Sequence, residues 1–164
     1  MNAAYFRLLY AYNDRVNRMM LDAAAQLPEA ELRAPRPGLA QECLLGSLAH
    51  VLGAELVWMG RWRGEPLPTV PGADDFASFT ALRERWEPHA AALLAFVDSL
   101  TDEDVRATRE YTNTRGEHFA HPLFQALAHV VNHGTQFRGE AAAVLSALGH
   151  SPGDLDLLAY LRSG

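Results

Sequence analysis

A chain of 164 residues and 18.1 kDa is the length of one ordinary domain, which excludes separate cofactor and substrate lobes and allows a core without disulfide or metal staples. Hydrophobic residues make up 49% and charged residues 21%, which excludes intrinsic disorder. The net charge of −6 has the wrong sign for a duplex-DNA or anionic-membrane binder.

The N-terminal stretch is amphipathic from its start and lacks a basic segment followed by an apolar one, so no signal peptide is expected. No apolar run approaches the roughly 20 residues that span a bilayer. The single cysteine, Cys43, has no intrachain partner and reads as a small buried hydrophobe at a helix start. A soluble, cytoplasmic protein with no membrane or nucleic-acid partner is the expectation.

From about Ala3 to Leu27, Tyr5, Leu8, Leu9, Tyr12, Val16, Met19, Met20 and Ala23 recur at three- and four-residue steps, which predicts an amphipathic helix stopped by Pro28. The polar stretch with Pro35, Pro37 and Gly38 reads as a crossing loop. A second helix is predicted from about Glu42 to Arg63, through Leu44, Leu48, Val51, Glu55, Trp58 and Trp62, ending at Gly64 with Pro66 and Pro68 beyond. After a loop over 64–74, Asp74 or Asp75 is placed to cap a third helix running through Phe76, Phe79, Leu82, Trp86, Leu93, Phe96 and Leu100, with Pro88 expected to kink or split it.

Thr101 to Asp104 reads as a cap or turn, and Val105 to Glu117 has no helical period; residues 111–116 read as a short extended piece with a turn. The fourth long helix runs from near His121-Pro122 to Leu148, closed by Gly149, and Asp154 to Leu161 reads as a last short helix. Four long apolar stripes predict an all-α four-helix bundle, one domain over 1–164, with long crossing loops and a short C-terminal helix. The loops between the first two and the last two long helices are expected to wrap one end.

Seven histidines are present. At about 100° per residue, His133 borders the apolar arc of the fourth helix, His129 lies farther out, and Phe137 falls well inside. His50 sits at the edge of the second helix's stripe. Histidines on two such rims can meet in a bundle interior and hold a divalent ion, or each can be a hydrogen-bonded boundary residue.

Residues 127–149, LAHVVNHGTQFRGEAAAVLSALG, together with YNDRVNRMML (12–21), SLAHVLGAELVWMGRWRG (47–64) and TRGEHFAHPL (114–123), resemble the DinB/YfiT-type family over nearly the whole chain. The resemblance implies a four-helix bundle that often dimerises, hence a homodimer. It also implies a three-histidine site for a divalent metal, commonly zinc or nickel. Some members of the family are transferases or isomerases that use a small thiol, bacillithiol or mycothiol, which makes a small-molecule or thiol ligand the expected partner.

Carried over residue by residue, the first ligand falls on His50 and the second on His133 of Asn132-His133-Gly134-Thr135. The third falls on Phe137, which has no lone pair to offer. Three readings follow. A substitute ligand completes the site, with Glu140 first and His129 or Gln136 behind it, while Glu55 points away. Alternatively the site has lost its affinity and the two histidines bond each other or water. In the third, a metal sits weakly on two imidazoles and water.

A retained metal would activate a bound water or thiol, with Glu140 as ligand or base. The competing classes are a non-enzymatic small-ligand binder with a cavity lined by Trp58, Phe137 and methionines, and an interaction protein using Trp58, Trp62 or Trp86. Tyr12 is assigned to core packing, Arg138 to a structural ion pair, and Arg33 to Arg36 and Arg61 to Arg63 to solvated faces.

Overall fold

The computed structural model describes residues 2–65, 70–113 and 115–162. Pro66 and Pro68 of the second loop, and Thr114 of the expected turn, lie outside the described residues. Among the described residues, seven α-helices and one hairpin follow in order: α1 (Ala3–Ala24), α2 (Glu29–Arg33), α3 (Leu44–Arg63), α4 (Phe79–Ser99), α5 (Asp102–Arg106), β1 (Thr108–Thr112), β2 (His118–Pro122), α6 (Leu123–Ala147) and α7 (Leu157–Arg162). The four long helices α1, α3, α4 and α6 are the ones the apolar periodicity predicts.

Their ends have local chemical causes. Asn2 caps α1 by accepting from the Tyr5 N–H, and Ser78 caps α4 by accepting from Ala81. Cys43 is buried, as its apolar surroundings predict, and also caps α3: its sulfur accepts from the Gly46 N–H at 3.3 Å. Gly64 ends α3 at a φ of 69°, a conformation that costs a side chain energy.

Several local expectations need correction. The first crossing loop holds the short helix α2, where Arg33 bonds Glu29 one turn before it. Asp75 belongs to a single 3₁₀ turn, so the third long helix starts only after Ser78. Pro88 does not split that helix. Leu82 and Trp86 before the proline, and Leu93 and Val97 after it, are all buried, so packing holds one continuous helix. The extended piece is a full antiparallel hairpin pairing Tyr111 with Phe119 and Arg109 with His121. Its second strand takes the residues expected to open the fourth helix, which begins at Leu123. Asn113 holds the turn, its Oδ1 accepting from the Arg115 and Glu117 N–H groups.

The buried apolar residues form two clusters. One contains Met20, Leu21 and Ala24 of α1, Leu44 to Leu52 of α3, Phe79 to Ala90 of α4 and Phe137, Ala141 and Leu145 of α6. The other contains Phe6 to Val16 of α1, Met59 and Trp62, Leu93 and Val97, and Leu123 to Val131. The order of these residues along each helix makes α1 parallel to α6 and α3 parallel to α4. Two connections therefore cap opposite ends: α2 lies with the first cluster through Leu32, and α5 with the second through Val105. The expectation that both wrap one end is thus corrected. The segment between α3 and α4 joins parallel helices and must travel the bundle's length; Val70 and Pro71 lie so close to Gly53 that a Cβ there would sit 3.0 Å from each. Among the described residues, no helix is long and apolar enough to cross a membrane.

Candidate functional site

The packing of α3 against α6 brings His50 and His133 together, 83 residues apart in sequence. Their Nε2 atoms are 3.1 Å apart, a hydrogen bond in which one ring's N–H donates to the other's lone pair. Phe137 stands against both rings, with centroids 4.3 Å from His50 and 4.6 Å from His133. Burial pushes the His133 imidazole down to about 4, helped by the neighbouring His50, His129 and Arg138 and opposed by Glu55. Burial lowers His50 as well, with Glu140 opposing. Both rings are neutral at pH 7.

Glu140, the foremost substitute ligand, turns to the first crossing loop, where its Oε2 accepts from the Ala40 N–H at 3.2 Å. His129 lies on the other side of His133, at 5.8 Å between centroids, and packs against Trp58 at 5.2 Å.

The donors present do not fit a three-ligand metal site. The 3.1 Å spacing resembles the edge of roughly 3.3 Å expected between two nitrogens of a tetrahedral zinc site. Yet the third position is a phenylalanine, and His133 Nδ1 is buried with no acceptor to orient the ring as a ligand. Among the described residues, no three His, Cys, Asp or Glu side chains form a group able to hold a metal ion.

Behind the pair lies a buried polar layer that draws on all four long helices. Arg138 of α6 is 3% exposed, and its Nη1 donates to Asn13 Oδ1 at 2.7 Å and Asn17 Oδ1 at 2.8 Å on α1. The Nδ2 groups of the same asparagines donate to Glu55 Oε1 of α3, at 2.7 and 3.0 Å. Glu55 is equally buried, and its Oε2 lies 3.5 Å from Nε2 of His89 on α4. The ion pair expected of Arg138 is therefore relayed through two amides, each satisfying both charges at once. His89 went unnoticed in the sequence; Glu55 inside an otherwise apolar stripe was the signal of a buried partner. Tyr12, as expected, is core, and its hydroxyl donates to the Leu155 carbonyl at 2.7 Å.

The hairpin closes the outer side of the site. Trp58, Tyr111, His121, Gln125, Ala126 and His129 line an open surface pocket of about 290 Å³. Tyr111 meets Trp58 edge to face at 5.0 Å. Arg61 is not the solvated residue its basic neighbourhood suggested. Its guanidinium lies 4.6 Å from the Trp58 ring and 5.0 Å from the Tyr111 ring. Trp62 and Trp86 are core residues, so neither forms an outward face. The cavity expected from Trp58, Phe137 and methionines is thus mostly apolar and includes Trp58, but no methionine lines it and Phe137 packs instead on the histidine pair.

The chain matches the DinB family model over residues 1–164 and belongs to that family. Solved structures share the fold, and two of them illustrate it. One, described as "Sibling Lethal Factor Precursor - DfsB", is 16% identical and superposes with a TM-score of 0.65, over 85% of this chain and 94% of that one. An uncharacterized protein from Clostridium difficile 630 is 14% identical, with a TM-score of 0.59 over 81% of this chain and 91% of the other. No curated protein matches the chain.

Proposed function

We propose that this member of the DinB family is a small-ligand-binding protein in which the family's metal position has been converted into a metal-free imidazole pair. The observation that carries the reading is Phe137, seated against both His50 and His133 where a third donor would stand. Two neutral imidazoles bond one another through their Nε2 atoms and are packed under an aromatic ring, which leaves an incoming ion two protein donors where zinc sites keep at least three. The adjacent cavity retains polar side chains and an opening, the features of a binding site.

Metal content tests the reading. The purified chain is stripped with chelator, and zinc and nickel are added separately in a calorimeter. The expected result is no stoichiometric binding tighter than on the order of 1 µM and no change in thermal midpoint. A stoichiometric, tighter site abolished by both His50→Ala and His133→Ala would overturn it and restore Glu140, His129 or Gln136 as a substitute ligand.

A further inference from the structure

Arg61 is a charge without a counter-charge. It is half-buried, its Nε is enclosed with no hydrogen-bond partner, and no carboxylate pairs with it among the described residues. Its neighbour Arg63, by contrast, reaches Glu65 at 3.9 Å. Withdrawing a guanidinium from water costs free energy that the Trp58 and Tyr111 rings recover only in part. In a protein of net charge −6, a carboxylate partner would be easy to supply, yet none is placed there.

The cavity beside those two rings repeats the pattern. No acidic residue lines it. The Trp58 indole N–H, the Tyr111 hydroxyl, the Gln125 amide and the imidazoles of His121 and His129 make no hydrogen bond to another described residue. Five hydrogen-bonding side chains therefore line one pocket with aromatic walls, with His121, Gln125 and His129 exposed to solvent and available to a ligand. At about 290 Å³ it is at the small end of ligand sites and suits a single ring.

We infer that the pocket between α3, α6 and the hairpin binds a small aromatic carboxylate, its ring against Trp58 and Tyr111 and its negative charge compensating Arg61, which does not line the pocket itself but stacks on both rings. The assignment rests on the small-ligand reading above and names the ligand's chemical class. An aromatic amine is disfavoured because Arg61 already occupies the cation position over both rings. A neutral amide of the same shape leaves the guanidinium uncompensated.

The test uses the full chain, chelator-treated, with benzoate, benzamide and benzylamine as probes in calorimetry and tryptophan fluorescence. Benzoate is expected to bind at least tenfold more tightly than benzamide, with benzylamine not binding. Arg61→Met is expected to weaken benzoate at least tenfold and leave benzamide unchanged, while Arg61→Lys retains most of the benzoate affinity. Trp58→Phe is expected to remove the fluorescence response, since Trp62 and Trp86 lie in the core.

Absence of benzoate binding at millimolar concentration both with and without added zinc, equal affinity for benzoate and benzamide, or binding indifferent to Arg61→Met would each overturn the inference. The benzoate–benzamide comparison in the unmodified chain stands even if Arg61→Met fails to fold. Benzoate binding that appears only after zinc is added, and still depends on Arg61, overturns the metal-free reading and upholds the anion site.

Discussion

Arg138 lies across Gly134, one turn before it on α6, and fills the space a side chain there would need: a Cβ on Gly134 would stand 2.6 Å from Arg138 Nη1. The two sequence fragments Asn132-His133-Gly134-Thr135 and Arg138-Gly139 thus describe one packing arrangement, completed by Arg138 Nη2 donating to Thr135 Oγ1 at 3.3 Å.

Gly134→Ala is therefore expected to destabilise the protein. Alanine favours a helix over glycine by about 1 kcal/mol, but the guanidinium is fixed by Asn13 and Asn17 and cannot withdraw cheaply. Overpacking of this kind costs about 1–3 kcal/mol, so a net loss of roughly 1 kcal/mol should lower the urea midpoint at unchanged slope. A raised midpoint would mean the arginine moves freely.

Removing either charge of the buried layer strands the other. Arg138→Met and Glu55→Gln should each cost about 3–5 kcal/mol because the partner charge stays buried, and Arg138→Met also strips both asparagine Oδ1 atoms of their donor, whereas an amide in place of Glu55 still accepts from the Nδ2 groups. The double variant should cost clearly less than the sum, a coupling read from a denaturation cycle. Strict additivity would show that the relay through Asn13 and Asn17 carries no energy between them.

Acid should destabilise the fold before carboxylates titrate. An unfolded histidine titrates near 6.5, whereas folded His133 does so at about 4. Between those values the unfolded chain binds the extra proton, so stability rises with pH; it is complete above about 6.5 and is lost as pH falls toward 4. His50 and His129 shift in the same direction. Because His133 is only half-buried, solvent screening limits its share to about 1–2 kcal/mol. Urea titrations at pH 7.5 and 5.0 should show the loss, and His133→Gln should flatten it.

Phe137→His restores the missing donor. The variant is expected to bind zinc or nickel at least a hundredfold more tightly than the parent chain, and added metal should raise its thermal midpoint while leaving the parent's unchanged. Equal, weak binding by both would place the defect in the orientation of His50 and His133 rather than in the number of donors.

The bundle was legible because its information is periodic. Apolar steps of three and four residues located all four long helices, and the same angular arithmetic put His50 and His133 on rims that meet at 3.1 Å. Pro88 departs from the local rule because burial on both sides of it, which the rule does not count, holds one helix together. The hairpin left only a faint trace, since its face of Tyr111, Phe119 and His121 packs mainly on itself and on Trp58 rather than alternating between core and solvent. The partners of Arg138 lie 121 and 125 residues away, and no spacing rule reaches that far. Arg61 looked like one basic residue of a surface cluster until the rings enclosing it were visible.

The belt of Asn13, Asn17, Glu55, His89 and Arg138 crosses the bundle between its two apolar clusters, and the protein is in effect a two-storey building with a polar floor. Sliding any long helix by a turn would drive a charged or amide group into a greasy storey, so the floor acts as a latch on vertical alignment. It also parts the two storeys. A void opened beside Phe6 or Leu127 is separated from Leu45 and Leu145 by the belt, and the two storeys share the partly buried Leu155 as a common apolar neighbour.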